Sequence, residues 1–251
     1  MARRAWAGSL LLALIISAGA ASVQLALASF LGVIGWLNRD GSPGRPDHPT
    51  WTAGLVWLAW AMAVSVVLGA IAGQRRWRDV PGRAAPRILL RLLIVVVATI
   101  GALVALPLVL YFGREIEMPD NYAPYLLAGV YAVAGAGLGL IVSLFAVTAR
   151  AVAANVLAVS GWLWVLAGIV VVEHLANDTT GYADLATWEF TVGGPFWRGI
   201  YIPGALLMIG AALLIGGLAA FPAAGRGDRR FGVAISGAIG PLLVAAAYGL
   251  A

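Results

Sequence analysis

Seven apolar stretches, each about as long as a bilayer is thick, decide what this chain can fold into. A helix needs roughly 20 apolar residues to cross a hydrocarbon core about 30 Å deep. Runs of that length cover 9–37, 52–73, 88–112, 123–149, 151–175, 199–221 and 231–251, each bounded by charge, Pro or Asn except where the last reaches Ala251. Lipid offers no partner for backbone N–H and C=O groups, and a helix satisfies them within one segment, so all seven are expected to be helical. Short alternating strands, the mark of a transmembrane barrel, are absent from the sequence. Only 11% of the 251 residues are charged and 62% are hydrophobic, against about 25% charged in a soluble domain, which excludes a water-soluble globule. The expected fold is an all-α, polytopic bundle forming a single transmembrane domain across 1–251.

Arginine placement gives the orientation, because cytoplasmic loops near span ends keep an excess of positive charge. With the N-terminus inside, the inner segments hold twelve of the sixteen arginines, among them Arg75, Arg76, Arg150 and Arg229, and only Asp79 and Asp228 of the acids. The outer segments then hold four arginines and the other nine acids, so the inner face is +10 and the outer face −5, which gives the net +5. An N-in, C-out path follows. Trp36, Trp51, Tyr111 and Tyr125 fall at the expected outer boundary, where amphipathic rings prefer to sit, and Trp6 and Trp77 at the inner one.

Both ends of the chain carry a second expectation. Arg3 and Arg4 ahead of an apolar stretch with small residues at Ala18-Gly19-Ala20 or Ala26-Leu27-Ala28 fit a secretory signal peptide. The run continues to Leu37, however, long enough to span, and it is read as a retained helix; cleavage would leave six spans in the same orientation. The last run stops at Ala251 without a polar flank, the pattern of an excerpt from a longer chain.

The loops are too short for a soluble domain, since the longest, 177–198, has 22 residues and independent domains seldom fall below about 50. Within it Tyr182, Leu185, Trp188 and Glu189 follow helical spacing, so a short interfacial helix packed on the bundle is expected. The segment from Gln74 to Arg87 holds five arginines, first a topology signal and second an attraction for anionic lipid.

Apolar side chains gain little by leaving lipid for a helix interface, so small residues are expected at the contacts. Gly135 and Gly139, with Ala128, Ala132 and Ala136, mark the fourth run; Ala212 with Gly216 and Ser236 with Gly240 mark the last two. These are read as internal packing. Pro107 is expected to bend the third run and to free a carbonyl one turn earlier.

Reactive chemistry is scarce. The chain has no Cys and no Lys and only two histidines, His48 and His174, on separate segments near the outer face. This excludes disulfides, thiolate metal sites, a retinal Schiff base and paired-histidine haem ligation within the membrane. Ser160 and His174 lie fourteen residues apart on one helix, about 21 Å at 1.5 Å per residue, which excludes a Ser–His dyad between them. No metal site and no cofactor are expected. Lys-free, Ala- and Gly-rich usage points to a GC-rich genome, and a bacterial plasma membrane is the expected location, with the lipid bilayer and a membrane-protein partner as partners and no nucleic acid.

Buried ionisable groups mark transport paths, because a charge at mid-bilayer costs at least about 2.5 kcal/mol. None lies near a span centre here. The candidate ligand- or proton-binding residues are therefore Glu173 and His174 at the outer end of the fifth run, His48 on the same face, and Gln24 inside the first run. Three readings compete. A binding or scaffold component predicts packed helices; a permease for a small neutral or lipophilic solute predicts an outward cavity lined by Gln24, Trp57, Trp60, Trp162 or Trp164; an outer-leaflet enzyme needs Glu115, Glu117, Asp184 and Glu189 to converge. The scaffold reading ranks first, and an enzyme last.

Overall fold

The computed structural model describes residues 2–36, 46, 48–77, 84–114, 116, 123–176, 185–186, 196–197, 200–225 and 230–250. Among these, eight helices form in chain order: α1 (Ala2–Phe30), α2 (His48–Trp77), α3 (Ala84–Leu103), α4 (Leu106–Arg114), α5 (Pro124–Ala146), α6 (Arg150–Ala176), α7 (Ile202–Gly225) and α8 (Arg230–Leu250). Two-residue strands β1 (Phe196–Trp197) and β2 (Ile200–Tyr201) pair antiparallel just before α7. Six helices are long and apolar enough to cross a membrane, and α8 adds a shorter apolar segment over Gly237–Leu250.

The first apolar run does not stay helical to its end. Gly32 takes φ +72°, a left-handed conformation open to Gly without a Cβ penalty, and the Ile34 N–H bonds back to the Ala28 carbonyl at 3.0 Å. Beyond it Val33, Ile34 and Trp36 are buried against the bundle. Trp36 lies against Trp51 with centroids 4.8 Å apart, and both are 4% exposed, so the two rings pack inside the protein. The third run breaks where Pro107 was expected to act: the N–H groups of Val104 and Ala105 bond three residues back, at 3.1 Å each, and α4 starts afresh at Leu106.

Helix α2 is the axis of the molecule. The most apolar window of this span is 89% buried, and α1, α3, α5, α6 and α8 all contact it. What allows this is small side chains. On α1, Ser9, Ala13, Ser17 and Ala21 recur every fourth residue and are all fully buried. They meet glycines: a Cβ on Gly69 would come 2.6 Å from the Ala13 carbonyl oxygen, and one on Gly73 2.8 Å from that of Ser9. On the other side α5 lays Gly135 and Gly139 onto Ala59 and Ala63 of α2, where a Cβ at Gly139 would lie 2.5 Å from the Ala63 carbonyl oxygen. The GxxxG pair is thus an internal seam, as its spacing implies, while Gly137 between them faces open space.

The registers also fix direction. Gly73 against Ser9 and Gly69 against Ala13 make α1 and α2 antiparallel; Gly135 against Ala59 and Gly139 against Ala63 make α2 and α5 parallel; Gly216 against Gly237 joins α7 to α8. The chain therefore runs back and forth, with Arg75, Arg76, Arg91 and Arg150 at one end of the bundle and Arg114 at the other. Helix α7 is peripheral, packing on α6 and α8 and leaving Leu213, Leu218 and Phe221 exposed.

Candidate functional site

Gln24 is the polar residue that the fold places most specifically. It lies on α1, 8% exposed, facing the point where α2 and α6 approach. Its Nε2 donates to Ser65 Oγ at 2.8 Å and to the Ala61 carbonyl at 3.3 Å. Ser65 Oγ in turn donates to the Ala61 carbonyl one turn back, at 2.7 Å, the usual route by which a helical Ser satisfies itself in lipid. The Trp164 indole N–H donates to Gln24 Oε1 at 3.2 Å. Both polar atoms of the carboxamide are therefore engaged by protein.

Three indole rings enclose this node. Trp57 and Trp60 meet edge to face at 5.3 Å, and Trp164 lies 5.7 Å from Trp57 and 6.5 Å from Trp60. Trp57 and Trp60 are each 1% exposed. The residues expected to line a cavity between the first, second and fifth runs do come together, but as side chains packed on one another. Trp162, two residues before Trp164 on α6, is absent from the cluster, and its Nε1 is buried without a hydrogen-bond partner.

A second polar tie joins α6 to α8. Asn155, fully buried, accepts the Gly240 N–H through Oδ1 at 3.1 Å. Gly240 immediately precedes Pro241, which has no N–H and whose ring crowds the Gly237 carbonyl one turn earlier. Gly240 also has no room for a side chain, since a Cβ would meet Val159 Cγ2 at 2.6 Å.

The remaining candidates sit at the far end of the bundle. His48 is the first residue of α2 and is exposed; Glu173 and His174 lie in the last turn of α6 and are half-buried. Among the described residues no group of three His, Asp or Glu is placed to hold a metal ion. Asp47 and Asp178 lie outside the described residues, as do Glu115, Glu117, Asp184 and Glu189, the carboxylates an outer-leaflet enzyme would bring together. Tyr182, Trp188 and Glu189 of the expected interfacial helix are outside them too. Leu185 and Ala186 of that loop form a buried turn, and the Tyr248 hydroxyl donates to the Leu185 carbonyl at 2.7 Å.

Sequence reading found Gln24 because a carboxamide in an apolar run stands out. It missed Ser65, whose signal was faint: one serine in a 22-residue apolar run, four residues after Ala61. The fold gives a helical chain in which, among the described residues, six long apolar helices fit a membrane protein. Beyond that class, comparison with protein-family models, with curated proteins and with solved structures gives no match for this chain.

Proposed function

We propose that the chain is a binding or scaffold component of a bacterial plasma membrane, crossing it seven times with its N-terminus in the cytosol, rather than a solute conduit. The observation that carries this reading is the closed state of the Gln24 node. A permease without mid-membrane charges needs polar groups turned toward a path. Here each polar atom of Gln24 is bonded to protein and the surrounding volume is filled by Trp57, Trp60 and Trp164. The cytosolic assignment of Arg75, Arg76 and Arg150 is supported by the charge asymmetry together with the helix registers, which bring these arginines to one end. The outer segments, which carry nine of the eleven acids, are the surface offered to a membrane-protein partner with a basic face; the Tyr248 hydroxyl ties one of them to α8 at Leu185.

Because the chain has no Cys, single cysteines report cleanly. In intact cells a membrane-impermeant maleimide is expected to label His48→Cys, to spare Arg76→Cys until the cells are permeabilised, and to spare Ala61→Cys throughout. Labelling of Ala61→Cys from outside would replace the scaffold reading with a permeation path; labelling of Arg76→Cys in intact cells would invert the orientation.

A further inference from the structure

The opposite end of the bundle from the acidic loops holds a cavity of about 150 Å³ that the Gln24 node does not touch. Helix α2 contributes Gln74 and Arg75 from its last turns; across from them Ala146 closes α5, and Arg150, Ala153 and Ala154 come from the first turns of α6. Among the described residues no acidic side chain lines it. Three features converge there on one chemistry.

Arg150 is the first residue of α6, so a guanidinium sits beside the positive end of a 27-residue helix dipole, an arrangement that a bound anion relieves. Arg75 adds a second guanidinium from the facing helix, and arginine forks match phosphate oxygens in geometry as well as charge. Gln74 also lines the cavity, is only 6% exposed, and leaves Oε1 buried without a hydrogen-bond partner, at a cost that a well-packed bundle normally avoids. A carboxamide offers N–H groups to an anion and an oxygen to a hydroxyl next to it.

We infer that this cavity is a binding site for a phosphate group with a neighbouring O–H, held between Arg75 and Arg150 with Gln74 reading the hydroxyl. Two sources carry that chemistry: the glycerol headgroup of phosphatidylglycerol, entering from the leaflet at the arginine end, and inorganic dihydrogenphosphate from solution. The inference concerns a different end of the molecule from the proposed scaffold surface and stands whether or not that surface has a partner.

The test uses the purified, delipidated full chain in detergent, with native mass spectrometry to count phospholipid adducts and thermal unfolding to follow inorganic phosphate. Phosphatidylglycerol adducts that exceed phosphatidylcholine adducts, and that fall about tenfold in the double variant Arg75→Ala/Arg150→Ala but not in Arg114→Ala at the other end, assign the site to a lipid. A melting shift with inorganic phosphate that the double variant loses, without a lipid preference, assigns it to a soluble anion. Ala153→Phe keeps every arginine and fills the cavity, and must abolish the same signal; Ala154→Phe repeats this at a more exposed position if Ala153→Phe does not fold. Binding that survives the filled cavity, or that equals phosphatidylcholine and shows no phosphate response, overturns the site and leaves only a diffuse basic surface.

Discussion

Trp164 on α6 and Gln24 on α1, 140 positions apart, are joined by an indole N–H donated to a carboxamide oxygen across 3.2 Å. The bond matters because α6 sits far from α1 in chain order and reaches it over the buried α2. One polar side chain thus ties three helices whose apolar surfaces alone carry little preference for one another over lipid.

Replacing Gln24 by Leu should therefore cost about 2 kcal/mol, three interhelical bonds at roughly 0.6 kcal/mol each plus an indole N–H left unpaired. Trp164→Phe, which removes a single donor, should cost about a third of that. Reversible unfolding in mixed micelles measures both. A loss below about 0.3 kcal/mol for Gln24→Leu would mean that the node does not hold the bundle together.

The glycine seam of α5 gives a sharper contrast. Gly139→Leu drives a side chain into the Ala63 backbone, where even a Cβ would lie 2.5 Å from the carbonyl oxygen, and neither partner is a flexible group able to move aside. Assembly of α5 on α2 should fail, seen as aggregation in size-exclusion chromatography. Gly137→Leu, two residues away with nothing within 4 Å of its Cβ position, should elute as the wild type does.

Leu185 is pinned from two sides, by its own burial and by the Tyr248 hydroxyl. The next residue, Ala186, holds φ +66°, unusual for a residue with a Cβ. Tyr248→Phe should speed hydrogen exchange around Leu185 and Ala186 several-fold, since one hydrogen bond contributes about 1 kcal/mol. Ala186→Gly should preserve the turn, and Ala186→Val, β-branched at positive φ, should open it. If the valine variant exchanges no faster than wild type, that backbone conformation is not required.

How much of this was legible beforehand depended on the length scale of the signal. Spans are written in runs of some 20 residues, so the helices emerged close to their expected limits: 124–146 against 123–149, and 150–176 against 151–175. The end of α1 was not legible, because Leu31 to Trp36 are as apolar as a helix in lipid and only Gly32, one glycine among 32, carries the turn. Gln24, Trp57, Trp60, Trp162 and Trp164 could be named as one group from the sequence, although Trp162 does not join the others. Whether they faced a void or each other could not, since depth fixes height in the membrane and says nothing of rotation about the helix axis. The α1 stripe of Ser9, Ala13, Ser17 and Ala21 was readable at its four-residue spacing and passed unnoticed beside the louder GxxxG of α5.

The tie between Asn155 and Gly240 allows a check on helix packing, because its acceptor can be removed while the neighbouring proline is kept. Asn155 Oδ1 accepts the Gly240 N–H at 3.1 Å, next to Pro241, which has no N–H of its own and so leaves the Gly237 carbonyl, not the Gly240 amide, without its ladder bond. Asn155→Ala should cost about 1–3 kcal/mol, the penalty for losing a hydrogen bond in a buried seam. Pro241→Ala should restore the bond to the Gly237 carbonyl and leave the Gly240 N–H on Asn155, so that in this background Asn155→Ala costs about the same. The double-mutant cycle is expected to be additive within about 0.5 kcal/mol. A coupling of about 1 kcal/mol or more would show that the proline itself sets the Gly240 N–H on Asn155.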